Sequence, residues 1–159
     1  MQRLVGSGWC AVILFAVGCG GGVAPPKLAD TVPFEGIVTM DGKPLAGATV
    51  MFHPKDAAGF HGAFGTTDES GKYVLESDVG NNKTKKGVIP GKYDVTVSRL
   101  VATDGSVLKF DPDVAPMNVG AREQIPMPYS MVNEMGLSHL VGAGGGKFDI
   151  EVSSSESSP

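Results

Sequence analysis

From Phe34 onward, hydrophobic and polar positions alternate with a period of two, and glycine-containing turns interrupt the alternation at short intervals. That period belongs to half-buried β-strands, whose successive side chains point to opposite faces. Phe34–Met40 predicts a first strand, ending at Asp41-Gly42, a dipeptide suited to tight turns. Ala48–His53 predicts a second, stopped by Pro54, and His61–Thr67 a weaker third. After the turn Asp68–Gly71 comes Lys72–Glu76, with Tyr73 and Leu75 on one face; Lys83–Gly87 reads as a basic polar loop. Lys92–Ser98 has the cleanest alternation: Tyr93, Val95 and Val97 on one side, Lys92, Asp94, Thr96 and Ser98 on the other. Ser106–Phe110 predicts one further strand inside the long connection Arg99–Ala121, and Asn133–Val141 suits a helical turn or a strand. Lys147–Val152 is the last strand, with Phe148, Ile150 and Val152 inward. No window of a dozen residues has the apolar stripe of an amphipathic helix. The prediction is an all-β fold, an antiparallel β-sandwich of about seven strands.

The N-terminus follows a different pattern. Arg3 precedes an uncharged apolar run, Trp9–Val17, too short to cross a bilayer as a helix but suited to the core of a secretory signal. Ala16-Val17-Gly18-Cys19 then places small residues before a cysteine, as in a bacterial lipobox, although Ala16 stands where such boxes most often have Leu. A cysteine thiolate can take a diacylglycerol as a thioether, and Ala16 and Gly18 leave room for a peptidase at the Gly18–Cys19 bond. An ordinary signal cleaved near Gly18 and a membrane anchor are the alternatives. The organisation expected is a lipoprotein signal over 1–18, a tether over 19–33, a sandwich over 34–152 and a disordered tail over 153–159. One acyl chain anchors only marginally, so stable attachment needs more than one.

Composition sharpens this picture. The 159 residues include 23 glycines and 11 prolines, more than a helical protein carries. Hydrophobic residues make up 42%, enough to build a core. Thirteen Lys and Arg against seventeen Asp and Glu give a net charge of −4, which offers nucleic acid no basic face. The two cysteines are Cys10 and Cys19. With Cys10 inside the signal and Cys19 lipidated, the sandwich would hold no disulfide and must rely on its core.

The runs GIVTMDGKPLAGATVMFHP (Gly36–Pro54), TTDESGKYVL (Thr66–Leu75) and GVIPGKYDVTVS (Gly87–Ser98) resemble a carboxypeptidase regulatory-like domain. Ile125–Tyr129 and Phe148–Ile150 extend the likeness to small lipoproteins of the planctomycete type that carry this domain. The resemblance spans about residues 34–152. It implies a transthyretin-like, prealbumin-type sandwich of seven strands and a scaffold motif rather than a catalytic one.

Candidate chemistry is sparse. His53, His61 and His139 match no compact zinc spacing, and His53 and His61 read as surface residues at strand ends. Asp68–Gly71, Asp104–Ser106 and Asp111–Asp113 read as acidic turns, without the ligand register of a calcium loop. Gly142–Lys147 lacks the first glycine, the Ser or Thr and the following helix of a phosphate loop. Ser138-His139 is a local pair without a third partner, and the purine-pathway hydrolase on a transthyretin-like fold ends in a signature this chain lacks. Met117, Met127, Met131 and Met135, with Tyr129 among them, suit core filling, an adaptable partner contact or a copper(I) site.

The expectation is therefore an exported, membrane-anchored, non-catalytic lipoprotein facing the periplasm or cell surface. It would act as a structural or protein-interaction module, touching the membrane through Cys19 and other envelope proteins through Met117, Met127, Tyr129, Met131 and Met135. No metal, cofactor or nucleic acid is expected. A small-ligand or carbohydrate-binding module is the alternative; its aromatic platform would have to come from Tyr73, Tyr93, Tyr129 or phenylalanines, since Trp9 lies in the signal.

Overall fold

The computed structural model describes residues 30–55, 62–78, 83–108, 120–132 and 136–155. In chain order these form β1 (Phe34–Met40), β2 (Lys43–Pro44), β3 (Thr49–Pro54), β4 (Ala63–Thr66), β5 (Lys72–Val74), β6 (Glu76–Asp78) and β7 (Thr84–Lys86). Then come β8 (Gly91–Ser98), β9 (Leu100–Val101), β10 (Arg122–Glu123), the single turn α1 (Met127–Ser130), β11 (Leu137–Val141), β12 (Gly146–Lys147) and β13 (Ile150–Val152). The fold is all-β, as the alternation predicts.

The strands make two sheets and a small ribbon. One sheet runs β11-β8-β3-β4-β6-β7, antiparallel throughout. The other is built on β1, with antiparallel β5 and β2 on one side and parallel β12 and β13 on the other. β9 and β10 form the ribbon. The chain changes sheets at Leu75, a fully buried residue between β5, which pairs with β1, and β6, which pairs with β4. The core lies between the sheets and includes Val38, Val50, Phe52, Tyr73, Leu75, Tyr93, Val95, Val97, Ile150 and Val152. Burying each of the larger apolar side chains contributes about 1.5–3 kcal/mol.

The pairing is antiparallel as expected, with the addition that the last strand returns beside the first in the same direction. Several other expectations are corrected. Lys83–Gly87 is not only a loop: Thr84–Lys86 pairs with β6 as an edge strand, Glu76 opposite Lys86. It has no apolar alternation because both its faces are exposed. Ser106–Phe110 is not a strand in its described part; Val107 makes one bridge to Val101, and residues 109 and 110 lie outside the described residues. Asn133–Val141 resolves into the strand Leu137–Val141, with 133–135 outside the description. The expected last strand is split into β12 and β13 around Phe148-Asp149, and Phe148 is half-buried against the core.

That split has a physical cause at Gly36. A Cβ there would stand 1.9 Å from the Phe148 carbonyl oxygen and 2.7 Å from the Tyr73 hydroxyl. The two backbones can approach only because residue 36 has no side chain. Around this point the polar groups are matched: Tyr73 donates its hydroxyl to the Phe148 carbonyl at 2.6 Å, and Phe148 N–H donates to the Glu35 carbonyl at 3.0 Å. Ile37 N–H donates at 3.1 Å to Asp149 Oδ1 instead of a backbone carbonyl. A side chain thus replaces a ladder bond where the strand is interrupted, and the register is the same on either side, Glu35 opposite Lys147 and Val38 opposite Ile150.

The turns are held in the same manner. Asp41 adopts φ 50° and its carboxylate accepts Ser154 N–H at 2.9 Å and the Ser154 hydroxyl at 2.5 Å, tying the first turn to the end of β13. Buried Thr67 donates its hydroxyl to the Leu45 carbonyl at 2.6 Å and accepts Ala48 N–H at 2.8 Å. Gly71 adopts φ 77°, and a Cβ there would stand 2.5 Å from the Val38 carbonyl oxygen, so the turn can lie against β1 only without a side chain at this position.

Gly36→Ala is expected to cost at least the upper end of the roughly 1–3 kcal/mol of an overpacking change, since a backbone atom must move. Tyr73→Phe keeps the ring and removes one hydrogen bond, for a loss of about 1–2 kcal/mol. Thermal unfolding checks the order: Gly36→Ala must lower Tm more than Tyr73→Phe does.

Candidate functional site

β8 ends at Ser98, and the chain returns along it after β10. Glu123 directs that return: its carboxylate accepts the Ser98 hydroxyl at 2.5 Å, Arg99 N–H at 2.8 Å and Ile125 N–H at 2.9 Å. Arg99 donates from Nε to the Ala46 carbonyl at 2.8 Å, and its guanidinium bonds the Gln124 side-chain oxygen. Gln124 N–H donates to the Arg99 carbonyl at 3.0 Å. Ile125 is thereby driven into the core, and Pro126 and Pro128 set the start of α1. Tyr129 packs half-buried against the core, while Met127 is 67% exposed and Met131 55% exposed. Val132 beside them is also exposed, and a shallow groove of about 540 Å³ runs from Glu123 to Met131.

Core filling is therefore corrected for Met127 and Met131. These two and Val132 form an apolar, conformationally adaptable surface. The structure brings Met127, Tyr129 and Met131 together on one segment. Met117 and Met135 lie outside the described residues, as do Gly18, Cys19, His61 and Asp111–Asp113.

The remaining candidates are placed as follows. His53 is not a free surface residue at a strand end: it is half-buried on β3, its Nε2 3.0 Å from the Thr96 hydroxyl. Burial lowers its pKa, while Asp94 pulls the other way. His139 lies in an aromatic cluster, stacked on Phe148 with centroids 4.3 Å apart and edge-on to Phe34 and Phe52. Burial lowers its pKa as well. Ser138 points to the opposite face of β11 and is exposed, so the two neighbours cannot work as a pair. The inward aim of His139 had a local signal: Leu137, His139 and Val141 share one strand face.

Asp68 accepts Ser70 N–H, the Ser70 hydroxyl and Lys72 N–H, and Asp104 accepts Ser106 N–H and its hydroxyl. These donors hold both carboxylates below their ordinary pKa. In Gly142–Lys147, Gly146 N–H is committed to the Pro33 carbonyl at 3.1 Å, and Lys147 pairs with Asp149 at 2.9 Å. Among the described residues no three His, Cys, Asp or Glu converge on a point where a metal ion could be held. Tyr73 and Tyr93 are buried, with hydroxyls donated to the Phe148 and Ile89 carbonyls, so neither can offer a stacking face. Burial pushes the Tyr93 hydroxyl up to about 12.

No family model matches the chain, and no curated protein or solved structure shows significant similarity to it. The function has to be argued from these surfaces.

Met127→Gln with Met131→Gln is expected to leave stability within about 0.5 kcal/mol of wild type, as for exposed positions generally. Ile125→Ala, beside them but buried, is expected to cost about 2–5 kcal/mol. Denaturant unfolding of both variants checks the assignment.

His53 and His139 set a pH dependence. Both have folded pKa values below the ordinary 6.5, so only the unfolded chain gains protons just below that pH. Stability is full above about pH 6.5 and falls as pH drops from there toward the folded pKa values. A Tm series over this range must show the fall, and His139→Phe must reduce it.

Proposed function

We propose that this chain is a membrane-tethered lipoprotein of the cell envelope whose β-sandwich is a non-catalytic structural or protein-interaction module. The observation that carries the reading is the apolar run Trp9–Val17 closing on Ala16-Val17-Gly18-Cys19, followed by a Gly- and Pro-rich stretch before the sandwich. The polar residues of the recurring motifs support it. Asp41, Thr67, Asp68 and Tyr73 spend their hydrogen bonds on turns and on the joint between strands. Those motifs are also the ground for reading the sandwich as a carboxypeptidase regulatory-like domain. Exposed Met127 and Met131 give it a contact surface that can adapt to a protein partner.

The test is the fate of Cys19. The wild-type protein is expected in the membrane fraction, with its N-terminal peptide heavier by the mass of attached acyl chains. Cys19→Ser is expected to abolish the added mass and release the protein from that fraction. Unchanged fractionation of the Cys19→Ser protein overturns the reading.

A further inference from the structure

Which end of the sandwich faces the bilayer follows from where the tether enters and how charge is distributed. The entering segment is fastened beside the edge strand β7. Thr31 donates its hydroxyl to the Lys86 carbonyl at 2.8 Å, and Val32 and Val88 exchange backbone bonds of 2.8 and 2.9 Å. From Cys19 to Asp30 the chain can reach at most about 40 Å at full extension. The β7 end is therefore the part of the sandwich joined most directly to the anchor.

That end is where lysines collect. Lys83, Lys85 and Lys86 lie on or beside β7, and Lys147 follows Gly146 opposite the start of β1. Lys55 and Lys92 meet at the same end, Lys55 N–H donating to the Lys92 carbonyl at 3.0 Å. The carboxylates there are largely engaged: Asp94 by Lys55 at 2.7 Å, Glu35 by Lys72 at 2.9 Å, Asp149 by Lys147 at 2.9 Å. Glu76 accepts the Thr84 hydroxyl, Asp78 sits opposite Thr84, and exposed Asp30 is 3.9 Å from Lys85. Among the described residues Lys83, Lys86 and Lys92 make no ion pair.

Among the described residues the opposite end carries six carboxylates, Asp41, Asp68, Glu69, Asp104, Glu123 and Glu151, against the cations Lys43, Arg99 and Arg122. Among the described residues the acidic surplus thus lies at the end away from the tether. Between β1 and β7 runs an open groove of about 700 Å³, lined by Thr31, Pro33, Val74, Lys86 and Lys147.

We infer that the β7 end of the sandwich docks on an anionic bilayer surface, with Lys83, Lys85 and Lys86 against the lipid headgroups and the acidic turns pointing away. The inference rests on the lipoprotein reading, which supplies the anchor. The negative potential of such a surface attracts lysines only within about a Debye length, roughly 8 Å at physiological salt. Tethering at this end lets them enter that range, and the same surface repels the acidic turns of the other end.

The test uses the mature protein purified from membranes and reconstituted into vesicles of phosphatidylcholine alone, or with phosphatidylglycerol added. Amine acylation at each lysine is followed by mass spectrometry, which also reports the lipid on Cys19. In anionic vesicles Lys83, Lys85 and Lys86 are expected to react about threefold more slowly or less than in neutral ones, with Lys43 unchanged and the protection lost at about 0.5 M salt. Equal rates at β7 in the two vesicle types overturn the docking while leaving the tether intact. Protection of Lys43 instead overturns the orientation. A Cys19 without lipid overturns the tether, and the docking with it.

Discussion

β1 has neighbours on both sides, and among the described residues its sheet has no strand beyond them, so the closing of the sandwich depends on how the last strand lies against it. That strand must run parallel to β1 and still pass Tyr73, whose hydroxyl stands 2.7 Å from where a Cβ of residue 36 would lie. Parallel pairing gives evenly spaced, slanted bonds, and here the ladder breaks at Phe148-Asp149. Three substitutes keep the broken stretch satisfied: the Tyr73 hydroxyl, the Phe148 amide and the Asp149 carboxylate. A missing side chain at residue 36 is the condition for all three.

The same economy appears at the turns. Asp68 and Asp104 each satisfy two or more donors of their own turns, while Asp41 reaches across to Ser154 and Thr67 to Leu45 and Ala48. Carboxylates of the kind that ligate metals or act as catalytic acids are here spent on the donors of turns and strand ends. What is left for recognition is surface: the methionines beside α1 at one place, and the lysine edge at another.

These surfaces differ in how the fold produces them. Met127 and Met131 are exposed because Glu123 and Arg99 force Ile125, rather than a methionine, into the core. The lysine edge follows from strand order. β7 is the last strand of its sheet, and lysines on such an edge also discourage pairing with another chain. β11, at the other edge, carries Leu-Ser-His-Leu-Val and no charge.

Much of the architecture was legible before folding. β1, β3 and β8 could be read almost to their ends, because a strand with one buried face imposes period-two alternation on its own residues, and Asp41-Gly42 or Pro90-Gly91 end it locally. β7 could not be read, since a strand exposed on both faces leaves no hydrophobic trace and exists only through its bonds to β6. Nor could the parallel return of β13, the break opposite Gly36, the stacking of His139 on Phe148, or the exposure of two methionines in an apolar-looking segment. Each of these depends on what lies across the sheet or under the loop, often a hundred residues away in the chain. Alternation tells which residues share a face; which face is covered, and by what, is settled only when the sheets close.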